Sequence, residues 1–168
     1  RMNRGYTAAD YREKVRRLRE TRPDIAVTSD MIVGFPGEAE EDFQQTLALM
    51  EAVKFDGLFS FRYSERAETA AVSLPGKVEE GMKRDRLRRL QRLQDAHTAE
   101  QNRRLEGRRV AVLVEGPSRN SRHDMTGRTS CNRIVNFSGR SDLIGSIVTV
   151  GIREAYLHSL RGELEGEG

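Results

Sequence analysis

Two short stretches carry residue types that can hold a ligand. Asp30-Met31-Ile32-Val33-Gly34-Phe35-Pro36-Gly37-Glu38 runs an apolar segment into a glycine-rich turn and then into acidic residues. In α/β barrels ligands sit at the carboxyl ends of strands, and glycine there lets a flat ring or a backbone come close. Gly34 and Gly37 suit a plain strand-to-helix turn equally well, because their spacing is neither a phosphate loop nor a dinucleotide fingerprint. Tyr63-Ser64-Glu65-Arg66 closes the next alternating segment, and Arg66 could clamp a carboxylate or phosphate through paired donors. A solvated surface arginine is the plainer reading of Arg66, and Arg4 in the opening loop stands the same way.

A third feature is electrostatic. The formal net charge is only +3, but residues 107–140 hold seven arginines against Glu115 and Asp124, and it is the local excess that a polyanion feels. Arg108, Arg109, Arg119, Arg122, Arg128 and Arg133 are interleaved with few aromatic residues, chiefly Phe137 and Tyr156 nearby. Stacking on bases needs exposed rings, whereas phosphate contacts need only cations. The pattern therefore predicts a grip on an RNA backbone more than base reading, with a merely soluble basic surface as the bland alternative.

Metal and nucleophilic chemistry find little support. His97, His123 and His158 are far apart and lack ligand spacing with Cys131, the one cysteine. No nucleophile, base and orienting group stand out together. His97 lies in a charged segment and is expected to be solvated. A single cysteine also excludes an internal disulfide and points away from a secreted scaffold.

The elements that must position these residues follow from periodicity. Thr7 and Asp10 resemble a capping box ahead of Tyr11, Val15 and Leu18, and Pro23 should stop that helix at Arg22. Ile25, Val27, Met31, Ile32 and Val33 predict a parallel strand covered on both faces. Glu38, Glu40, Glu41 and Asp42 favour a helix start, with Phe43, Leu47, Met50 and Val53 as its buried stripe. Gly57 closes the connection, and Phe59, Phe61 and Tyr63 alternate as a strand.

From Val78 to about Leu105 a long helix carries Met82, Leu87, Leu90, Leu93 and Ala96 on one side and ends at Gly107. Four short β runs follow, at Val110 to Val114, Arg133 to Phe137, Ile147 to Ile152 and near Leu160 to Leu164. Gly116-Pro117, Gly127, Gly139 and Gly145 separate them, as in a small antiparallel barrel. The expected fold is thus α/β, a barrel segment too short to close, over residues 1–105, followed by a small all-β barrel over 106–168.

With 36% hydrophobic and 33% charged residues, the composition is that of a soluble globular chain. No stretch approaches the roughly 20 apolar residues of a membrane span, so a cytoplasmic setting with no membrane partner is the expectation. The opening at Arg1 in a polar loop reads as a cut within a longer protein.

At these residues the sequence resembles the radical S-adenosylmethionine methylthiotransferases that modify tRNA, in their MiaB branch. Met2-Asn3-Arg4-Gly5-Tyr6-Thr7, Arg22-Pro23-Asp24-Ile25, Ile32 to Glu38 and Phe61-Arg62-Tyr63-Ser64-Glu65-Arg66 resemble successive pieces of the family's TIM-like radical SAM barrel. Ala67-Glu68-Thr69 departs from the family's Pro and Gly containing turn, and His158 stands where an Asn is common. Val114 to Ser118, Gly127-Arg128-Thr129, Asn132 to Phe137 and Leu160 to Glu163 resemble a TRAM domain, an OB-like RNA-binding barrel.

The resemblance implies S-adenosylmethionine at Arg4, Asp30, Gly34, Phe35, Pro36, Tyr63 and Arg66, and a tRNA anticodon arm held by the terminal arginines. It implies two 4Fe-4S clusters in the parent enzyme, reduced by an electron donor, with all cluster ligands outside this chain. The implied product is the 2-methylthio derivative of N6-isopentenyladenosine beside the anticodon. N6-threonylcarbamoyladenosine as the target, or a non-catalytic RNA-binding module, stays open on these residues.

Overall fold

The structure is a computed structural model that describes residues 1–168 except positions 1, 3, 120, 122, 167 and 168. Its contacts divide the chain into two compact units, residues 1–97 and 98–168.

The first unit opens on α1 (Ala8–Thr21) with the expected capping box. Thr7 Oγ1 accepts the Asp10 N–H at 3.2 Å, and Asp10 Oδ2 accepts the Thr7 N–H at 2.9 Å, so two amides that a helix start leaves unpaired are satisfied. The helix ends at Thr21, with Arg22 extended ahead of Pro23. Strands β1 (Thr28–Val33) and β2 (Gly57–Arg62) pair in parallel, with Asp30 opposite Phe59 and Ile32 opposite Phe61. Between them lies α2 (Glu40–Val53), whose Asp42 carboxylate accepts the Ala39 N–H at 2.9 Å. Left-handed Lys54 ends this helix, so Gly57 begins β2 and does not close the connection.

The expectation that β1 is covered on both faces is not met. Met31 and Val33 enter a core with Val15, Phe43, Met50, Val53, Phe55 and Leu90. Side chains alternate along a strand, so Asp30, Ile32, Phe59 and Phe61 fall on the opposite face, where Phe59 is 66% and Phe61 54% exposed. The helix residues Val15, Phe43, Met50, Val53 and Leu90 meet the Met31 and Val33 side, and the apolar run of β1 is therefore half core and half open surface.

The long helix α3 (Glu80–Arg103) buries Leu90 and leaves Met82 and Ala96 exposed. Its buried face is more polar than the leucine stripe suggests, since Lys83, Arg86, Gln94 and His97 are all buried. His97 is thus not solvated: its Nε2 lies 3.1 Å from Glu51.

The second unit is a closed barrel of five strands in the order β3-β4-β5-β7-β6. These are β3 (Arg109–Pro117), β4 (Asp124–Thr129), β5 (Ile134–Ser138), β6 (Ile147–Ala155) and β7 (Leu160–Leu164). Four strands were expected where five occur. The extra one, β4, reads as a loop because Gly127 sits at its centre and its apolar alternation is weak. Gly127 is required there, for a Cβ would stand 2.3 Å from the Leu113 carbonyl oxygen, next to the irregularity between Val114 and Gly116 of β3. The barrel is also not purely antiparallel, since β5 and β7 run parallel. Val112, Val114, Met125, Val135, Phe137, Val150, Ile152 and Leu160 fill its interior. No helix among the described residues is long and apolar enough to cross a membrane.

Candidate functional site

The glycine-rich rim of the first unit is held by α3. The Gly34 N–H donates to Glu38 Oε2 at 3.0 Å, while Glu38 Oε1 accepts Arg86 Nη1 at 2.8 Å. Arg86 Nη1 also reaches the Glu38 carbonyl at 3.0 Å. The Arg86 side chain is 2% exposed and that of Glu38 13%, so this ion pair is largely withdrawn from solvent. Arg89 stacks over Phe43 at 4.7 Å and pairs with Glu40 at 2.7 Å, a contact that holds the Glu40 carboxyl below its usual range. Gly37 donates its N–H to the Gly76 carbonyl at 2.7 Å and so fastens the turn to the 63–79 segment.

Gly34 has φ +75°, and a Cβ there would stand 2.4 Å from Lys83 Cγ. Its lack of a side chain serves the backbone turn and the stem of Lys83. The Lys83 ammonium then donates to the Tyr63 carbonyl at 3.3 Å and pairs with Glu80 at 2.8 Å.

Of the residues expected at this rim, the structure gathers Gly34, Phe35, Pro36 and Tyr63. The Tyr63 N–H donates to the Val33 carbonyl at 2.8 Å, and the Phe35 and Tyr63 rings meet edge-on at 5.2 Å. Pro36 is buried. Tyr63 Oη is buried with no hydrogen-bond partner among the described residues. Asp30 lies on the open face of β1, upstream of the rim. Arg4 and Arg66 are exposed, and neither side chain makes an ion pair with a described residue. Sequence reasoning missed Arg86 and Lys83, which look like ordinary members of a charged helix. The signal was their position on the same helical stripe as Leu87, Leu90 and Gln94.

The barrel arginines differ from one another. Arg108 and Arg119 are exposed. Arg109 pairs with Glu165 at 2.7 Å, and Arg128 with Glu115 at 3.3 Å and with the Asn132 side chain at 2.9 Å. Arg133 is half-buried, donating to Asn102 at 2.5 Å and Gln101 at 2.9 Å, a contact that fastens the end of α3 to the barrel. Arg122 lies outside the described residues. Unforeseen was Arg161, whose Nη1 donates to the buried carboxylate of Asp124 at 2.9 Å. Arg161 first, and then the Ser138 and Ser121 hydroxyls, hold the Asp124 carboxyl below its usual range against the opposing pull of burial.

The second unit is thus a closed five-stranded barrel whose exposed arginines, Arg108 and Arg119, stand among others paired with carboxylates. Residues 103–164, within the second unit, match the family model described as TRAM domain. Beyond the barrel, nearly the whole chain is similar to proteins named tRNA-2-methylthio-N(6)-dimethylallyladenosine synthase, over 97% of its length in each case. The one from Syntrophus aciditrophicus (strain SB) is 61% identical, with 35% of the relative covered. That from Syntrophobacter fumaroxidans (strain DSM 10017 / MPOB) is 55% identical, with 36% covered. That from Haemophilus influenzae (strain PittEE) is 49% identical, with 34% covered. The chain thus spans about a third of the length of the curated relatives it matches, and the resemblance read from its motifs is borne out.

Proposed function

We propose that this chain is part of a tRNA methylthiotransferase that adds a methylthio group to C2 of N6-dimethylallyladenosine beside the anticodon. The observation that carries this reading is the continuous similarity, across both the rim and the barrel, to relatives whose name states that product. The TRAM barrel grips the tRNA through Arg108, Arg109, Arg119, Arg122 and Arg128. Arg133 adds charge while tying the barrel to α3. On this view the functional division falls near residue 105, with the carboxyl-terminal part of an α/β barrel before it.

The first unit supports the partial barrel by what it leaves open. Parallel strands are normally buried on both faces, yet here Ile32, Phe59 and Phe61 are exposed. Further strands and a bound cofactor would cover this face. In a radical S-adenosylmethionine enzyme that cofactor supplies the radical when bound. Phe35 and Tyr63 at the rim, with the unpartnered Tyr63 hydroxyl, would take part of it, and Asp30, Arg4 and Arg66 would lie on the same side. Gly34 and Pro36 shape the turn. The iron-sulfur clusters do not fit the residues present. Cys131 is the one cysteine, and no group of three or more His, Cys, Asp or Glu among the described residues could hold a metal. Cluster ligands then belong to other parts of the enzyme, which an electron donor would serve and which would act in the cytoplasm where tRNA is modified.

The test is nucleoside mass spectrometry of tRNA from a strain deleted for the parent gene. Loss of 2-methylthio-N6-dimethylallyladenosine, with the unthiolated base accumulating, is expected. An unchanged content of that nucleoside would overturn the assignment.

A further inference from the structure

We propose that a polar pocket on the outside of the barrel, where β5 and β7 meet, is a subsite for one unpaired ribonucleotide. Its phosphate sits on Arg161, its 2′-hydroxyl on Asn136 and its base on the Tyr156 ring. The proposal rests on the RNA-binding reading above and goes beyond it by saying where on the barrel, and through which part of a nucleotide, the contact is made.

The pocket has a volume of about 330 Å³ and is lined in part by Ser118, Asp124, Asn136, Tyr156, Ser159 and Arg161. Its position follows from the register. Val135, Phe137, Leu160 and Gly162 point into the barrel, so Asn136 and Arg161, which are paired across the parallel junction, both point out. Asp124 is 4% exposed, but the Arg161 side chain bound to it is 47% exposed. A buried carboxylate therefore fixes one edge of the guanidinium, at 2.9 and 3.5 Å. The other N–H groups donate to no described residue. That is the geometry of a preoriented phosphate fork.

The remaining groups suit a ribonucleoside. Asn136 Oδ1 accepts the Ser118 hydroxyl at 3.2 Å, and its Nδ2 donates to no described residue, leaving a donor for a ribose hydroxyl. The Tyr156 hydroxyl donates to Glu154 at 2.6 Å, which pins the ring while it stays 48% exposed. Aromatic faces of this kind take up splayed bases of single-stranded RNA, and the 2′-hydroxyl is what distinguishes RNA from DNA. With Asp124 and Glu154 beside Arg161, the local charge sums to −1. A bare phosphate would gain little here, so ring and sugar must contribute.

The experiment titrates the 168-residue chain into a labelled anticodon stem-loop RNA, and into the same stem-loop with deoxyribose in its loop, by fluorescence anisotropy. The wild-type chain should bind the all-ribose loop about three- to tenfold more tightly, the scale of one hydrogen bond. Asn136→Ala should abolish that preference without weakening the deoxyribose complex. Tyr156→Leu should weaken both complexes about tenfold. Arg161→Lys keeps the charge and a partner for Asp124, yet should weaken both about fivefold by losing the fork. Unchanged thermal unfolding would show that each variant is folded. If the wild-type chain binds RNA but all three variants match it on both loops, the pocket assignment is wrong and the RNA-binding reading survives. If the wild-type chain binds neither loop at low salt, the RNA-binding reading falls and the pocket assignment falls with it.

Discussion

The two units solve the problem of a β-sheet in opposite ways. In the barrel every strand has two neighbours and the inward side chains meet one another, so the domain is closed on itself. In the first unit β1 and β2 each have one neighbour among the described residues, and their second face carries Ile32, Phe59 and Phe61 uncovered. The same residue classes, β-branched and aromatic, are thus spent on packing in one unit and left as free surface in the other. The barrel thus pairs every strand edge and buries its apolar face, whereas the α/β part keeps one apolar face of its sheet open.

That contrast can be broken by substitution. Phe137 is fully buried in the barrel, and Phe137→Ala should cost about 3–5 kcal/mol, enough to unfold the barrel at moderate urea. Phe61→Ser on the open face should stay within about 0.5 kcal/mol in the 168-residue chain. In a chain extended to the length of the relatives, the same change should become costly. Urea unfolding of the three variants and their two parent chains checks both statements, and equal costs in the short chain would remove the distinction.

A second test lies within the first unit. Arg86→Ala leaves Glu38 largely buried without its partner, and breaking such a pair costs about 3 kcal/mol. Because Glu38 also accepts the Gly34 N–H, hydrogen exchange at Gly34 should rise more than at the barrel strands. An effect confined to α3 would count against a role for Arg86 in holding the rim.

In the barrel, Asp124 titrates below its unfolded value. Its stabilisation is fully present above the unfolded pKa of about 3.9 and is lost as pH falls through the lower folded value. Asp124→Asn should therefore flatten the loss of melting temperature below about pH 4. Identical acid limbs for the two proteins would contradict this.

Much of this arrangement could be read from residues. The capping box at Thr7 and Asp10, the stop before Pro23 and the buried stripe of α2 are local signals, and local geometry honours them. β4 was hidden because Gly127 marks a close approach to β3, a non-local cause that looks like a turn. The parallel β5–β7 pairing is likewise a matter of topology that no strand pattern encodes. At the rim, the glycines and Tyr63 were legible as types, but Lys83 and Arg86 acquire meaning only once α3 is folded against Glu38 and Gly34. His97 misled for the same reason, since a charged helix can still bury one face.

The most direct test of the account is the salt dependence of binding between this chain and tRNA, by anisotropy between about 50 and 200 mM monovalent salt. A basic barrel gripping phosphates predicts a linear fall of log affinity with log salt, at about 0.7 to 0.9 per phosphate neutralised. Arg119→Ala, which removes an exposed arginine, should lower the slope by about one such step. No binding at low salt, or binding indifferent to salt, would contradict it.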